Sequence, residues 1–370
     1  MGDCDVAIIG AGIIGASIAY ELAARGAGVR VLDSRPAGQG ATQAAAGILA
    51  PYIEGFGKPI LPMAARSLGM YDEFIQRITA DSGLAVDYHR SGSLQVITAG
   101  ESADELIALG AAARAAGVRC SMMDALEVRD LEPLVTPDVA AGAFIPDHGV
   151  VVPASLSHAL TTAAGKRGAN FETDQQVERV VPSEGGGFGV QTSRERFRAR
   201  RVVVAGGSWS GRLVIEGIPP LPVRPVRGQL MHLTSPGPSL QRVIWGAGCY
   251  IVPSIAGPLS VGATMEEAGF DERVTVRAVR QLLGAATSLM PALCQAGFVG
   301  ARVGLRPATP DQMPIMGRSQ KFPGMFYATG HFRNGILLAP LTGRVLADLM
   351  LDDREDSVLE ATSPQRFGEY

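Results

Sequence analysis

One short segment near the N-terminus constrains the fold of this chain more than any other. Residues 6–9 are apolar and predict a buried β-strand. An apolar helix is predicted over about 13–25, and Asp33 ends a second predicted strand about 20 residues farther on. This order of strand, turn, helix and acidic residue predicts a parallel β-α-β unit that binds a dinucleotide. The turn holds three glycines at the GxGxxG spacing, Gly10, Gly12 and Gly15.

Each glycine of this turn has a separate physical role. Gly10 allows the tight turn, Gly12 leaves room for a pyrophosphate, and Gly15 lets the helix pack closely on the strand. The helix N-terminus offers unpaired N–H groups and the positive end of its dipole to the phosphates. The Asp33 carboxylate can accept hydrogen bonds from ribose hydroxyls.

The composition limits the class of protein. With 370 residues, the chain is long enough for two domains, each with its own core. Its 46 glycines and 24 prolines favour many strands and turns over a helical bundle. The net charge of −3 and the scattered arginines give no reason to expect a nucleic-acid partner. The one basic cluster, residues 196–201, is expected to be a solvated hairpin.

The cysteine spacing indicates whether the chain has a metal site, and the N-terminal residues indicate its location in the cell. Cys4, Cys120, Cys249 and Cys294 lie far apart, so we expect buried or half-buried thiols in a reducing compartment and no metal site. Acidic residues stand where a signal peptide would be basic, and no uncharged apolar stretch reaches about 18 residues. We therefore expect a cytoplasmic protein without a membrane span.

The pattern of predicted elements gives the fold class. Apolar periodicity predicts a helix over 64–82, strands dominate from 228 to 265, and a long apolar helix is predicted over 336–351. The chain thus begins and ends with α/β units and has antiparallel strands between them. We expect an α/β fold (α+β overall), with a Rossmann-like cofactor domain and an inserted substrate domain on an antiparallel sheet. The expected division is 1–85, 142–220 and 311–370 for the cofactor domain, and 86–141 and 221–310 for the substrate domain.

Five longer motifs carry a family resemblance. They are TQAAAGIL at 42–49, CYIVP at 249–253, VGATM at 261–265, GLRP at 304–307 and GHFRNGILLAP at 330–340. With these motifs the chain resembles the D-amino-acid-oxidase superfamily of flavoproteins, and within it the glycine oxidases of thiamine biosynthesis. The resemblance covers nearly the whole chain. It implies that the first domain is an FAD-binding domain and that the FAD is bound non-covalently.

The resemblance also implies which residues contact the cofactor. Residues 42–48 would wrap the pyrophosphate and the flavin, and a helix N-terminus near residue 335 would lie under the flavin ring. Helix N–H groups there stabilise negative charge. We interpret His331 as a packed, neutral residue rather than a base. The implied cofactor-binding residues are Gly10, Gly12, Ile13, Ile14, Gly15, Asp33, Ser34, Thr42, Ala45, Ala46, Gly47, Ile48, Val177, Gly206, Trp209, Gly330, His331, Phe332, Arg333, Asn334, Gly335, Ile336 and Leu337.

Four residues are implied at the substrate. The family uses the position of Arg306 to hold the substrate carboxylate, and an arginine fork pairs bidentately with that group. Tyr250 would add a phenolic hydroxyl beside it, Arg333 would lie near the entrance, and Met265 would form a pocket wall. The sequence shows no Ser/His/Asp arrangement and no paired acids. In the family, the neutral amine gives a hydride from its Cα to flavin N5, and no enzyme base is strictly needed.

The function that follows is FAD-dependent oxidative deamination of glycine and other small amines or D-amino acids, with O₂ reduced to H₂O₂. The imine product would hydrolyse to a keto acid and ammonia. A D-amino-acid dehydrogenase with another electron acceptor, a sarcosine-type oxidase of N-methyl amino acids and a flavin-binding protein without turnover are the alternatives. The expected partners are a small amine substrate and O₂, with no nucleic acid and no membrane; a homo-oligomer stays open.

Overall fold

The computed structural model describes residues 4–55, 58–235, 240–253, 257–368 and 370. The strands in this part of the chain are β1 Cys4–Ile9, β2 Val29–Leu32, β3 Ile48–Leu49, β4 Tyr88–His89, β5 Ser93–Thr98, β6 Ser121–Asp124, β7 Val139–Ile145, β8 Gly149–Val151, β9 Asn170–Glu172, β10 Val177–Pro182, β11 Phe188–Thr192, β12 Arg196–Val204, β13 Val214–Ile215, β14 Arg224–Leu233, β15 Val243–Gly246, β16 Cys249–Val252, β17 Leu259–Gly262, β18 Phe298–Ala308, β19 Ile315–Arg318 and β20 Met325–Thr329.

The helices of the same part are α1 Ile13–Ala23, α2 Pro51–Glu54, α3 Leu61–Gly69, α4 Tyr71–Ser82, α5 Asp104–Ala115, α6 Ala125–Leu131, α7 Pro153–Lys166, α8 Val276–Leu289, α9 Gly335–Leu351 and α10 Val358–Thr362. Short 3₁₀ helices cover Gly207–Arg212, Pro291–Gln295 and Pro364–Phe367. None of these helices combines the length and the apolar character needed to cross a membrane.

The first sheet has the N-terminal strand at its centre. Strand β1 pairs in parallel with β2 and β12, β2 pairs in parallel with β9, and β12 pairs in parallel with β20. The five parallel strands β9-β2-β1-β12-β20 form a Rossmann-like core. Helices α1, α3, α4, α7 and α9 contribute buried side chains to one apolar cluster against this sheet. The predicted α/β cofactor fold is therefore present.

The second sheet has eight strands in the order β18-β14-β17-β16-β15-β5-β7-β6. Its neighbours are antiparallel except β15 and β5, which run parallel. Its strands lie in two stretches of sequence, 93–145 and 224–308, as expected for an inserted sheet. Strand β7 runs across the boundary expected after residue 141, and the division into domains stays a proposal.

The predicted helix over 64–82 is two helices. Helix α3 ends at Gly69 and α4 begins at Tyr71. In one continuous helix the Leu68 carbonyl would accept the N–H group four residues on, but here it accepts Nη2 of Arg90 at 2.6 Å. The hydrophobic period continues across the break, so the sequence pattern did not reveal it.

The start of α9 depends on a side chain from α4. Pro340 lies inside α9 and has no N–H group to donate to the Ile336 carbonyl one turn earlier. The fully buried Tyr71 hydroxyl donates to that carbonyl at 2.5 Å. The Ser67 hydroxyl donates to the next carbonyl, at Leu337, at 2.7 Å. These contacts satisfy buried carbonyls and fix the N-terminal turn of α9.

Two further expectations meet the structure here. Residues 196–201 lie in strand β12, which forms an antiparallel hairpin with β11, and Arg196, Arg198 and Arg200 are exposed, as expected of a solvated hairpin. Cys294 is exposed, contrary to the expected burial, because it lies on a surface 3₁₀ turn. The described residues contain no group of three His, Cys, Asp or Glu side chains that could hold a metal ion.

Candidate functional site

A cavity of about 500 Å³ lies where the first sheet meets strands β14 and β18 of the second. This volume is within the range of small-molecule sites, about 300–1,000 Å³. On the side of the first sheet, the lining consists of the glycine turn, the segments around 39–48 and 204–213, and residues 328–337. The second sheet contributes, among others, Gly228, Gln229, Leu230, Trp245, Tyr250, Gly304 and Arg306.

The three glycines of the N-terminal turn differ in what surrounds them. Gly10 has a φ of 114°, which side-chain-bearing residues rarely adopt. A Cβ on Gly15 would lie 1.9 Å from the Gly10 carbonyl oxygen, so this glycine permits the close packing of α1 on the turn. A Cβ on Gly12 would instead have only the Thr42 hydroxyl within 4 Å, at 3.6 Å, and Gly12 lines the cavity. Gly12 therefore leaves room at the cavity wall, whereas Gly15 lies behind it.

Two helices begin at the cavity. Residues of the first turns of α1 and α9 line it, and neither first turn contains an acidic residue. Neither helix is capped by the side chain of its own N-cap residue. The Thr42 hydroxyl, from a different segment, accepts the Ile13 N–H group at 3.1 Å. Both N-termini thus present N–H groups and positive dipole ends to the same cavity.

Close packing holds these two helices together. The Ser17 hydroxyl on α1 donates to the Ala339 carbonyl on α9 at 2.7 Å. A Cβ on Gly343 of α9 would lie 2.5 Å from the same hydroxyl oxygen, so the glycine permits this approach. The separation of the two helix N-termini is therefore fixed by the core.

The Asp33 carboxylate lies at the cavity wall beside Ser34. Its Oδ2 accepts the Ala11 N–H group at 2.8 Å, and its Oδ1 accepts the Arg35 N–H group at 2.9 Å. Burial raises the pKa of Asp33, and these N–H groups act in the opposite direction. Two carboxylate oxygens still have acceptor capacity for hydroxyls of a bound nucleotide.

Buried contacts fix the turn that precedes α9. His331 is 3% exposed, and its Nε2 lies 3.1 Å from the Thr342 hydroxyl. Burial lowers the pKa of His331 to about 3, so the ring is neutral near pH 7. Phe332, at a φ of 48°, donates its N–H group to the Pro307 carbonyl at 2.9 Å. This bond ties the turn to strand β18.

Two more contacts fix β18 against the first sheet. The Ser208 hydroxyl donates to the Leu305 carbonyl at 2.8 Å. A Cβ on Gly304 would lie 2.8 Å from the Cβ of Ala44, so this glycine lets the strand approach the 42–48 segment. The strand that carries Arg306 thus has a fixed position relative to the segments that line the cavity.

The Arg306 and Tyr250 side chains lie over glycines of neighbouring strands. A Cβ on Gly228 would lie 2.4 Å from Cζ of Arg306, and a Cβ on Gly262 would lie 2.6 Å from the Tyr250 hydroxyl. Nη1 of Arg306 donates to the Thr264 carbonyl at 2.9 Å. Both side chains are half-buried and line the cavity. The glycines on β14 and β17 therefore leave room for the Arg306 guanidinium and the Tyr250 phenol at one wall of the cavity.

The structure brings most of the predicted site residues together. Gly15 lies behind the cavity wall, and Arg333 is exposed but still on the lining. The predicted cofactor-binding residues that line the cavity are Gly10, Gly12, Ile13, Ile14, Asp33, Ser34, Thr42, Ala45, Ala46, Gly47, Ile48, Val177, Gly206, Trp209, Gly330, His331, Phe332, Arg333, Asn334, Gly335, Ile336 and Leu337.

Met265 does not lie where the sequence analysis expected it. Its side chain is 66% exposed and is not part of the cavity lining. After β17 the chain continues beside β14, where Glu266 forms a β-bridge with Arg227. Since side chains alternate along extended backbone, Thr264 and Glu266 face inward and Met265 faces outward. The prediction of a Met265 pocket wall is wrong for this reason.

Trp245 also lines the cavity, and the sequence did not single it out. Its ring lies 5.1 Å from that of Tyr250, centroid to centroid, at an edge-on angle of 62°. Its indole Nε1 is buried and has no hydrogen-bond partner within the described part of the chain. Trp245 lies opposite Tyr250 in the β15–β16 hairpin, whose second strand carries the CYIVP motif, and an aromatic residue just before that motif was the available signal.

Of a group of side chains that crosses from one sheet to the other, the sequence singled out only Trp209. Glu272, between β17 and α8, pairs with both terminal nitrogens of Arg35, at 2.9 and 2.7 Å. The Arg35 guanidinium lies 4.5 Å from the Trp209 ring, which is 5.7 Å from the Phe270 ring. We call Arg35, Trp209, Phe270 and Glu272 the clasp, since it joins the two halves at the cavity rim.

These observations fit a flavin dinucleotide. The room at Gly12, the two helix N-termini and the Asp33 carboxylate match the needs of a pyrophosphate, an electron-rich ring and a ribose, respectively. Small residues along 42–48 leave the backbone free to lie against a flat ring. The residues present therefore suit FAD as the resident group.

Comparison with known proteins agrees with this fit. The family described as FAD dependent oxidoreductase (DAO) matches residues 5–349. A protein named glycine oxidase from Geobacillus kaustophilus is 36% identical over 94% of this chain and 92% of its own length.

Solved structures resemble the fold as well. The crystal structure of glycine oxidase from Geobacillus kaustophilus superposes with a TM-score of 0.93, at 34% identity and 99% of each chain. Iminodiacetate oxidase from a Chelativorans species has a TM-score of 0.86, at 28% identity over 97% of this chain and 98% of its own. On the family match and the cavity that fits its cofactor, this chain belongs to the FAD-dependent oxidoreductases of the DAO family.

Proposed function

We propose that this protein oxidises glycine and other small amines or D-amino acids, using FAD and passing the electrons to O₂. The observation that carries the proposal is the placement of Arg306 and Tyr250 in the same cavity as the N-termini of α1 and α9. The relatives named glycine oxidase and iminodiacetate oxidase support a small amine that bears a carboxylate.

Three groups of residues would hold FAD. The turn at Gly12 and the N-terminus of α1 would bind the pyrophosphate, and Asp33 would accept the ribose hydroxyls. The N-terminus of α9, following Asn334, would stabilise negative charge on the flavin. When bound, FAD supplies the two-electron acceptor for the amine and returns these electrons to oxygen.

Arg306 would bind the substrate carboxylate through its guanidinium fork, and the Tyr250 hydroxyl would donate a further hydrogen bond. The Gly228 surface beneath the guanidinium and the Thr264 carbonyl beside it restrict where the fork can point. A carboxylate held in this way fixes the orientation of the amine-bearing carbon, and orientation is a large part of catalysis in such sites.

The described lining contains few side chains that could act as a general base. Its carboxylate, Asp33, is bound to two N–H groups, and its histidine, His331, is neutral and buried against Thr342. We therefore propose that the site binds the substrate with a neutral amine and needs no enzyme base. The reaction would be glycine + O₂ + H₂O → glyoxylate + NH₃ + H₂O₂, in which the amine is oxidised to an imine that water hydrolyses.

The location of the protein is part of the proposal. The four cysteines are unpaired in the structure, which agrees with a reducing compartment such as the cytoplasm.

The experiment uses the purified holoenzyme. We expect denaturation to release FAD, and we expect glycine to bleach the flavin absorbance without oxygen and to give one H₂O₂ for each O₂ consumed in air. Sarcosine, iminodiacetate and D-alanine are assayed in parallel to rank the substrates. Bleaching without O₂ consumption would replace the oxidase with a dehydrogenase, and no bleaching by any of these amines would contradict the proposal.

A further inference from the structure

A short segment after β17 lies beside β14 and reaches the Arg306 side chain. The Thr264 N–H group donates to the Gln229 carbonyl at 3.1 Å. Arg227 and Glu266 exchange two backbone hydrogen bonds, each of 2.9 Å. The segment is therefore an extra, short piece of sheet, with Thr264 and Glu266 on the same inward face.

Thr264 touches Arg306 through its main chain and Glu266 through its side chain. Its carbonyl oxygen accepts Nη1 of Arg306 at 2.9 Å. Its hydroxyl donates to Oε1 of Glu266 at 2.6 Å and accepts the Gln229 N–H group at 3.0 Å. The position of the carbonyl that contacts Arg306 thus depends on what holds the Thr264 side chain.

The Glu266 carboxylate holds three groups at once. Besides the Thr264 hydroxyl, it accepts Nε2 of Gln229 at 2.7 Å and Nη2 of Arg227 at 2.6 Å. Its side chain is 27% exposed, and that of Arg227 is 8% exposed. Burial acts to raise the pKa of Glu266, but hydrogen bonds from Thr264, Arg227 and Gln229 outweigh it and the pKa lies below its usual value. Glu266 is therefore an ionised acceptor at neutral pH.

We propose that Glu266 is a positioning residue that sets the orientation of the Arg306 guanidinium through Thr264. It fixes the Thr264 hydroxyl and the adjoining main chain, and the Thr264 carbonyl in turn fixes one end of the guanidinium. The flat face of the guanidinium lies against Gly228. The inference deepens the proposed function, because it rests on Arg306 as the carboxylate anchor.

The test measures substrate affinity and the limiting rate separately. In anaerobic stopped flow, the glycine dependence of flavin bleaching gives a Kd and a limiting rate for wild type and for Glu266→Ala. We expect the Kd to rise roughly tenfold, since a displaced guanidinium no longer meets the substrate carboxylate with both arms of its fork. Glu266→Gln keeps an oxygen for Thr264 but presents an NH₂ group to Arg227, so an intermediate Kd is expected.

A neighbouring residue provides the matched control. Glu267 is exposed, lies on the same segment, and pairs with Arg224 at the surface. Glu267→Ala should leave the Kd at the wild-type value. If Glu266→Ala does not fold, Thr264→Val carries the test, because it removes the hydroxyl that links Glu266 to Arg306 while keeping the carbonyl.

A double-mutant cycle distinguishes positioning from general damage. In an Arg306→Ala background, Glu266→Ala should add no further loss of glycine affinity. An equal loss with and without Arg306, or a wild-type Kd for both Glu266→Ala and Thr264→Val, would overturn the inference. If Arg306→Ala alone binds glycine as tightly as wild type, the carboxylate anchor itself is wrong, and the proposed function fails separately.

Discussion

Gly228 lies directly beneath the Arg306 guanidinium, so that a Cβ at position 228 would come within 2.4 Å of Cζ and Nη2. The two residues are on adjacent antiparallel strands, with Val226 opposite Arg306 and Gly228 opposite Gly304. Nothing but a hydrogen at position 228 allows the guanidinium to lie flat on the sheet. The position of the Arg306 guanidinium, our proposed substrate anchor, therefore depends on the absence of a side chain at Gly228 on the neighbouring strand.

Gly228→Ala should weaken substrate binding without unfolding the protein. The added methyl group meets the far end of a flexible side chain, so Arg306 moves while the strands stay paired. We expect the Kd for glycine to rise by roughly tenfold, or about 1.4 kcal/mol, with the flavin absorbance unchanged. Gly300→Ala on β18 is the control, since a Cβ there has nothing within 4 Å. Unchanged glycine affinity in Gly228→Ala would show that the guanidinium is not held as described.

Alanine substitutions at two glycines of the same turn should affect different properties, FAD binding in one case and stability in the other. Gly12→Ala places a methyl group at the cavity wall and should fold normally but bind FAD much more weakly. Gly15→Ala puts a Cβ 1.9 Å from a backbone oxygen and should lower the thermal stability of the apoprotein. Apoprotein unfolding temperature and FAD titration separate the two effects. Tight FAD binding by Gly12→Ala would contradict the assignment of this turn to the pyrophosphate.

The clasp should slow the release of FAD. Removing the Glu272 carboxylate breaks its pairing with Arg35, and partly exposed ion pairs of this kind contribute up to about 1 kcal/mol. We expect Glu272→Ala to release FAD about fivefold faster, which the rise in free-flavin fluorescence after dilution measures. Glu267→Ala is the matched control on the same segment. Equal release rates for wild type and Glu272→Ala would mean that the clasp does not retain the cofactor.

His331 should make the protein less stable in acid. Its pKa is about 3 in the folded state, because of burial, and 6.5 in the unfolded reference. The unfolded chain therefore binds more protons between these values, so the contribution to stability is present above pH 6.5 and is lost as the pH falls toward 3. From pH 7 to pH 5 the loss is about 2 kcal/mol for this residue.

His331→Gln should therefore lose less stability than wild type between pH 7 and pH 5, as measured by denaturant unfolding at both values. Because we propose that the substrate reacts as the neutral amine, kcat/KM should rise with pH toward the pKa of that amine, and His331→Gln should keep this rise. Disappearance of the rising limb in His331→Gln would identify His331 as a general base. Equal acid sensitivity of the two proteins would contradict its buried, neutral state.

The sequence predicted which residues line the cavity at the first sheet better than at the second sheet. Gly10, Gly12 and Asp33 could be predicted because their roles are local, set by a turn and by the strand that precedes it. Met265 could not, because its direction depends on a bridge between Glu266 and Arg227 that only the pairing of distant strands creates.

Other features of the site could not be predicted from the sequence for the same reason. Trp245 reaches the cavity through its pairing with Tyr250 across a hairpin, and the clasp joins side chains more than 200 positions apart in the chain, Arg35 and Glu272. The predicted helix over 64–82 breaks where the Arg90 side chain bonds to a main-chain oxygen, which apolar periodicity does not record. Long-range contacts, rather than local propensities, determine these features.

The most direct test of the account is the glycine dependence of anaerobic flavin bleaching in Arg306→Ala. Losing one partner of a charge-assisted pair costs about 2–5 kcal/mol, which corresponds to a loss of roughly 30-fold to several thousandfold in affinity. We predict a loss in this range with a normal FAD spectrum, and a partial recovery in Arg306→Lys, because a point charge replaces a fork. Bleaching of Arg306→Ala by glycine at the wild-type Kd would contradict the assignment of this residue as the substrate anchor.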